Sequence, residues 1–395
     1  MSRSLPLVTV ADRRARLGRR HRLAPGTGAD RLAGAADAVV ALHATDAATV
    51  FLSARARLDP TRADASPAGI ERALYEEVEV VRALCMRRTL FAFSTEFAPF
   101  VDSSTGRRIA AKERAGLLKH LAEDGAGMDA AWLAEVTEAT LAALDAGGPS
   151  TGGALSAALP ELRRKFTYDR GKKWETTTGV ASRVLRVLAA EGRIRRDRPV
   201  GSWVSSQFRW TRAEPWPELP EAGARAELAR RWLYAYGPAS ERDLAWWTGW
   251  TLTQVRAALA AVDAEEVRLD DGSTALVLPG DTGPETTPEP WAALLPALDP
   301  SAMGWADRSF HLDPAHRPAL FDRAGNIGPT VWWNGAVVGG WAQRADGTVV
   351  WRALADLDTR ARAAVDREAE RLGDWLGPVR VTPRFRTPLE RELTA

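Results

Sequence analysis

His43, Thr45 and Asp46 bring an imidazole, a hydroxyl and a carboxylate within four residues, and Arg55 and Arg57 follow on the same stretch, Ala41 to Leu58. Such a set can exchange a proton or hold a polar ligand, where most soluble chains place plain apolar helix. The stretch reads as two helices meeting near Thr45 and Asp46. His43 then falls on the last turn of the first helix, and Asp46 opens the second. An aspartate there also has a purely structural use, because its carboxylate accepts orphan backbone N–H groups at the positive end of the helix dipole. On these residues alone, a reactive site and a helix cap beside a satisfied core histidine both stay open.

The elements that position these groups belong to a chain of 395 residues with 45% hydrophobic content, enough for two to four domains with real cores. No run approaches the roughly 18 uninterrupted apolar residues of a spanning helix. The segment Met1 to Val8 lacks the apolar region of a secretory signal, so a cytoplasmic protein with no membrane association is expected. The single cysteine, Cys85, excludes an internal disulfide and any Cys-based zinc or iron–sulfur site. His21, His43, His120, His311 and His316 show no metal-ligand spacing, so neither metal nor cofactor is expected.

The net charge of +2 conceals an asymmetry: residues 163–212 hold fourteen Arg or Lys against four Asp or Glu, a local excess of +10. A second basic cluster comprises Arg13, Arg14, Arg16, Arg19, Arg20 and Arg22. Concentrated positive charge favours phosphate contact and makes a nucleic acid the leading expected partner, the alternative being merely solvated arginine faces.

Four units follow in order. Residues 1–105 contain a helix from Asp30 through the opening stretch, a second from about Gly69 to Val80, and a strand over Met86 to Phe93. Helices followed by a β element suggest a winged helix. Residues 106–215 contain helices over Ile109–Asp124, Ala130–Asp145 and Thr176–Ala190, then a basic arm and a return strand, Ser202 to Trp210. A helix followed by a basic wing fits a nucleic-acid reader. Residues 216–280 carry a helix ending at Gly237-Pro238, a helix capped by Ser240, a capping box at Thr251 to Gln254, and a hairpin turning on Asp271-Gly272. Residues 281–395 are strand-rich, a small antiparallel barrel or sheet ending in a helix from about Ala353 to Leu376. Their tryptophans, Trp305, Trp332, Trp333, Trp341 and Trp351, read as core before they read as base-stacking platforms. The fold class is α+β, mostly helical.

Several short runs together resemble one family. They are Leu42-His43-Ala44-Thr45-Asp46, Met86-Arg87-Arg88-Thr89-Leu90, Gly201-Ser202-Trp203, Tyr236-Gly237-Pro238, Trp246-Trp247-Thr248-Gly249 and Leu295-Pro296-Ala297-Leu298-Asp299-Pro300. In order and spacing they are similar to the AlkZ/YcaQ-like bacterial DNA glycosylases over nearly the whole chain. The resemblance implies three tandem winged-helix domains forming a concave DNA-binding surface, a C-terminal β domain, and excision of alkylated purines. The family's Gln-x-Gln or Gln-x-Asp pair falls on His43 and Thr45, which are different residue types.

The resemblance therefore implies a repair enzyme that binds damaged or adducted double-stranded DNA and hydrolyses the N-glycosidic bond, with a non-catalytic winged-helix binder as the alternative. A neutral His43 would accept a proton or hydrogen bond from the attacking water, Thr45 would fix that water, and Asp46 would supply negative charge or only cap its helix. A lyase needs an amine, and no lysine precedes Lys112, so a monofunctional hydrolase is expected. Phosphate contacts are expected from Arg55, Arg57, Arg87 and Arg88 of the first unit and from Lys172, Lys173, Arg195 and Arg196 of the second. A concave surface of this kind lets a monomer act alone, nucleoid-associated when bound to DNA.

Overall fold

The computed structural model describes residues 4–125, 127–168, 171 and 173–395, so the expected contact Lys172 lies outside the described residues. Helix covers 45% and strand 19%, which makes the chain α+β with helix dominant. It starts with β1 (Leu7–Val8) and α1 (Val10–Arg20), whose first turn is closed by a reciprocal Thr9 and Asp12 capping box.

One order then recurs three times: helix, short strand, two helices, hairpin. In the first unit it is α2 (Leu32–Asp37), β2 (Leu42–His43), α3 (Ala47–Arg55), α4 (Pro67–Tyr75), β3 (Val80–Cys85) and β4 (Thr89–Ser94), with the sheet ordered β2-β4-β3. Ser66 caps α4 and Pro67 sits at its first position, where its missing N–H costs nothing. The expected helix through residue 43 is corrected here. Helix α2 stops at Asp37, Val40 takes φ 64°, and the chain leaves extended, so that His43 lies opposite Phe91 on β4.

In the second unit α5 (Ala98–Val101) leads through a π-helical turn, Asp102–Gly106, into α6 (Arg107–Asp124). The recurring order is α7 (Ala130–Gly147), β5 (Ser150–Thr151), α8 (Gly152–Ala158), α9 (Ala181–Ala190), β8 (Ile194–Pro199) and β9 (Phe208–Arg212). A separate hairpin of β6 (Lys165–Tyr168) and β7 (Thr176–Gly179) lies between α8 and α9, so Thr176 to Gly179 is strand rather than the expected helix start. The β-branched run Thr176-Thr177-Thr178 favours extended backbone and finds a partner strand. Residues 202–206 lie outside β9, which begins only at Phe208.

The third unit is α10 (Glu221–Tyr236), a single bridge at Ala239, α11 (Glu241–Thr248), α12 (Leu252–Ala260), β10 (Glu265–Leu269) and β11 (Thr274–Val277). Both expected caps form, Ser240 with Asp243 and Thr251 with Gln254. The last unit has β12 (Ala292–Leu295), α13 (Pro300–Met303), α14 (Arg317–Leu320), β13 (Thr330–Trp333), β14 (Ala336–Gln343) and β15 (Val349–Ala353), then α15 (Thr359–Leu376) and α16 (Pro388–Thr394). Its strands form an open antiparallel sheet in chain order, with Trp332 and Trp341 buried.

The main core joins the first, third and last units, from Phe51 and Phe93 through Trp232 to Trp332, whereas the second unit has its own core from Leu117 to Ile194. At the start of the chain, β1 pairs in parallel with β10 of the third unit. Helix α1 lies against Trp291, which approaches so closely that a β-carbon at Gly18 would sit 2.8 Å from the indole nitrogen. The N-terminal arginines serve this packing. Arg16 and Arg20 pair with Asp281, Arg19 and Arg20 with Glu285, and the Arg13 guanidinium lies 3.7 Å from the Phe310 ring centroid. The linker carboxylates thus claim three of the six arginines that the sequence offers to a polyanion. No helix among the described residues is long and apolar enough to cross a membrane.

Candidate active site

Between the first, second and last units lies a cavity of about 1100 Å³, walled by β2, β3, α9, the β8–β9 arm and the segment around Arg384. Its lining holds six arginines, Arg82, Arg88, Arg186, Arg195, Arg196 and Arg384, and no carboxylate among the described residues. Arg88 and Arg186 also line a second groove of about 370 Å³ on the second unit, so the cationic track continues out of the cavity.

His43 and Thr45 both line the cavity. His43 is 6% exposed, and its ring meets Phe91 edge-on at 5.3 Å between ring centroids while the residue lines the cavity. Burial lowers its pKa to about 4, Arg87 adds to the lowering, and Asp299 opposes it. The ring is therefore neutral at physiological pH. The Thr45 backbone N–H donates toward Nδ1 at 3.5 Å, the outer limit of a hydrogen bond, so neither ring nitrogen is committed to one tautomer.

Asp46 is placed elsewhere. Its Oδ1 accepts the Ala48 amide at 3.2 Å as the N-cap of α3, and its Oδ2 accepts the Arg384 amide at 3.0 Å. Asp46 is not among the residues that line the cavity, and its carboxylate instead holds the segment that carries Arg384 into it. The capping alternative is the one the geometry supports.

The expected phosphate ligands divide. Arg55 pairs with Glu368, and Arg57 is fully buried in a bidentate pair with Asp299 at 2.7 and 2.9 Å, so both are corrected from phosphate ligands to internal braces. Arg55 at the end of α3 and Arg57 just beyond it both meet carboxylates of the last unit, which the local sequence does not reveal. Arg87 turns to the third unit and lies 4.1 Å over the Trp246 ring, outside the cavity lining. Arg88 reaches the cavity while pairing with Glu113, which Arg186 shares. Arg195 and Arg196 line the cavity, with Arg196 stacked 4.0 Å over Phe208. Lys173 is exposed in the turn before β7, away from the lining.

Arg82, Arg384 and Asn326 line the cavity without belonging to any motif of the sequence. Arg82 interrupts the apolar run Val80-Val81-Arg82-Ala83-Leu84, and a charge set within a strand of that kind is itself a signal. Asn326 carries no such signal. It reaches the lining from a turn in which Asp322 accepts its backbone amide at 2.8 Å and its side-chain Nδ2 at 2.9 Å. Beside it Leu298 holds φ 61° in the cavity wall, its amide donating to Ile327 at 3.1 Å. No group of three or more His, Cys, Asp or Glu among the described residues is placed to hold a metal.

An arginine-lined cavity without carboxylates is built for an anionic ligand, and a neutral imidazole on its wall adds a group that can accept a proton. The family model described as DNA glycosylase AlkZ-like matches residues 36–375, and the chain belongs to that family. Among solved structures it is similar to the Streptomyces sahachiroi DNA glycosylase AlkZ, with a TM-score of 0.68 and 21% identity over 95% of this chain and 98% of that one. At that identity the likeness shows the fold. No curated protein sequence matches the chain.

Proposed function

We propose that this protein is a monofunctional DNA glycosylase that removes N-alkylated or bulky-adduct purines from double-stranded DNA. On this reading the three recurring helix–strand–helix–helix–hairpin units are winged-helix modules, and the cavity between the first, second and last units receives the extruded nucleotide. The protein acts as a cytoplasmic monomer, associated with the nucleoid when bound to DNA.

The observation that carries the reading is the neutral His43 beside Thr45 on the wall of a cavity lined by six arginines. An N-alkylated purine already bears positive charge. When its C1′–N bond breaks, the electron pair returns to the ring and the base leaves neutral. Water then adds its oxygen to the oxocarbenium-like C1′ and passes a proton to the unprotonated ring nitrogen of His43, which releases it to solvent. A water attacking a cation becomes acidic as the bond forms, so a base as weak as His43 suffices. The Thr45 hydroxyl fixes that water. The cavity volume of about 1100 Å³ supports bulky adducts, since pockets that hold drug-sized ligands span roughly 300–1,000 Å³.

The test incubates purified protein with oligonucleotides carrying an N-alkylated purine, followed by alkali cleavage at abasic sites. Base release by the wild type, lost in His43→Ala with duplex affinity retained, is expected. Equal rates in both would remove His43 from the chemistry.

A further inference from the structure

We propose that Arg82, Arg196 and Arg384 form an internal phosphodiester site, which holds the linkage beside the extruded nucleotide rather than the backbone of the stacked duplex. This rests on the glycosylase reading for the identity of its ligand, although the cluster itself is a feature of the fold.

The three guanidiniums come from three separate elements, β3, β8 and the segment that precedes α16, and all line the same cavity. Most arginines near them are spent: Arg88 and Arg186 share Glu113, and Arg198 pairs with Glu71 and Glu76. Among the described residues, Arg82, Arg196 and Arg384 form no ion pair. The Nε and one terminal nitrogen of Arg82 are buried without a hydrogen-bond partner. Only aromatic faces support the cluster, Phe208 under Arg196 at 4.0 Å and Tyr75 near Arg82 at 5.6 Å. Desolvation, then Arg82 and Arg384, lower the Arg196 pKa to about 10, so the cations feel one another.

Like charges held together in a partly dehydrated wall are unfavourable unless an anion joins them. Guanidinium groups suit a phosphodiester because they donate in parallel pairs to its two free oxygens. A cationic alkylpurine, by contrast, gains nothing from this wall. The charge of the cavity is matched to the backbone that enters with the base, and the lesion is left to shape and stacking. Asp46 has a part in this arrangement, since its carboxylate fixes the backbone of Arg384 at 3.0 Å.

The experiment combines Arg82→Gln, Arg196→Gln and Arg384→Gln with alkylated duplexes in which the linkages flanking the lesion are replaced singly by neutral methylphosphonates. Affinity and single-turnover base release are measured for each pair, with Arg360→Gln, on the exposed face of α15, as a control. One flanking methylphosphonate is expected to weaken the wild type roughly 10- to 100-fold, and Arg196→Gln to show a similar loss on the natural linkage but no further loss on that neutral one. Losses that multiply, or that are the same at every linkage, would overturn the proposal. The exposed Arg384 allows the same test in a variant whose core is untouched. If no base is released from any substrate but the non-additivity persists in the affinities, the phosphodiester site stands and only the glycosylase reading fails.

Discussion

Arg57 and Asp299 form a two-pronged ion pair in which neither side chain has any solvent exposure. Asp299 also accepts Ser53 Oγ at 2.6 Å and the Ser301 amide at 2.9 Å, while Ser301 Oγ meets His21 Nδ1 at 2.8 Å and His21 Nε2 meets the Ala235 carbonyl at 3.0 Å. One polar network therefore ties α3 of the first unit to the end of α10 and to the loop after β12. That loop carries Leu298, whose left-handed backbone forms part of the cavity wall and is held by its neighbours rather than by its own preference. The brace and the site are thus adjacent residues of one turn.

Removing either partner leaves a buried charge without compensation. Arg57→Ala and Asp299→Ala should each cost on the order of 3–5 kcal/mol in denaturant unfolding, and the double variant less than the sum of the two. Full additivity would show that the pair is not coupled.

Burial alone would raise the Asp299 carboxyl, yet Arg57 beside it and the Arg57, Ser53 and Ser301 hydrogen bonds hold it below the usual carboxylate range. Its stabilising contribution is present above the unfolded carboxylate pKa and is lost as pH falls through the lower folded value. His21 and His43 add to this acid sensitivity from higher pH. Burial lowers them to about 3 and about 4, so between those values and the unfolded pKa of about 6.5 the unfolded chain binds more protons. Thermal stability should fall steadily below pH 6.5, and His21→Gln should blunt that fall. An unchanged profile would count against His21 as a source.

Base release should have an acid limb near pH 4, where His43 protonates, and stay flat from about pH 5 to 8. A limb near pH 6.5 would mean that the ring is not desolvated when substrate is bound. Single-turnover rates at temperatures where the fold survives acid separate this from unfolding.

Asp46→Ala should cost about 1 kcal/mol for the lost helix cap and slow base release severalfold, without moving the acid limb. Abolition of activity equal to that of His43→Ala would return Asp46 to the chemistry.

His311 is buried against Trp305, Phe310 and Trp332, and both its ring nitrogens lack a hydrogen-bond partner among the described residues. Burial, with Arg308, Arg13 and Arg14 nearby, keeps it neutral. His311→Phe should leave stability unchanged or raise it by about 1 kcal/mol, read as a rise in Tm, since it removes polar atoms that burial penalises.

Local signals gave the local structure. The capping residues Ser240, Thr251 and Asp46, the turn at Asp271-Gly272 and the helix of residues 107–124 follow from short-range rules that tertiary packing did not override. The residue type of His43 marks it as a candidate, but its element is not legible, because its strand is only two residues long and exists through its partner β4. The fates of the arginines are the least legible. A guanidinium looks the same in sequence whether a carboxylate some two hundred and forty residues away will claim it, as Asp299 claims Arg57, or whether it stays unpaired like Arg196. Distance along the chain, rather than any ambiguity of type, hid that difference.

The seating of β1 and α1 on β10, Trp291 and the linker carboxylates has a consequence for biogenesis. The residues of β1 and α1 leave the ribosome before the berth they occupy, which is not translated until some two hundred and sixty positions later. During that interval Leu17 and the arginine-studded helix around it stay unclaimed, and closure of the N-terminal segment becomes a late step in assembly.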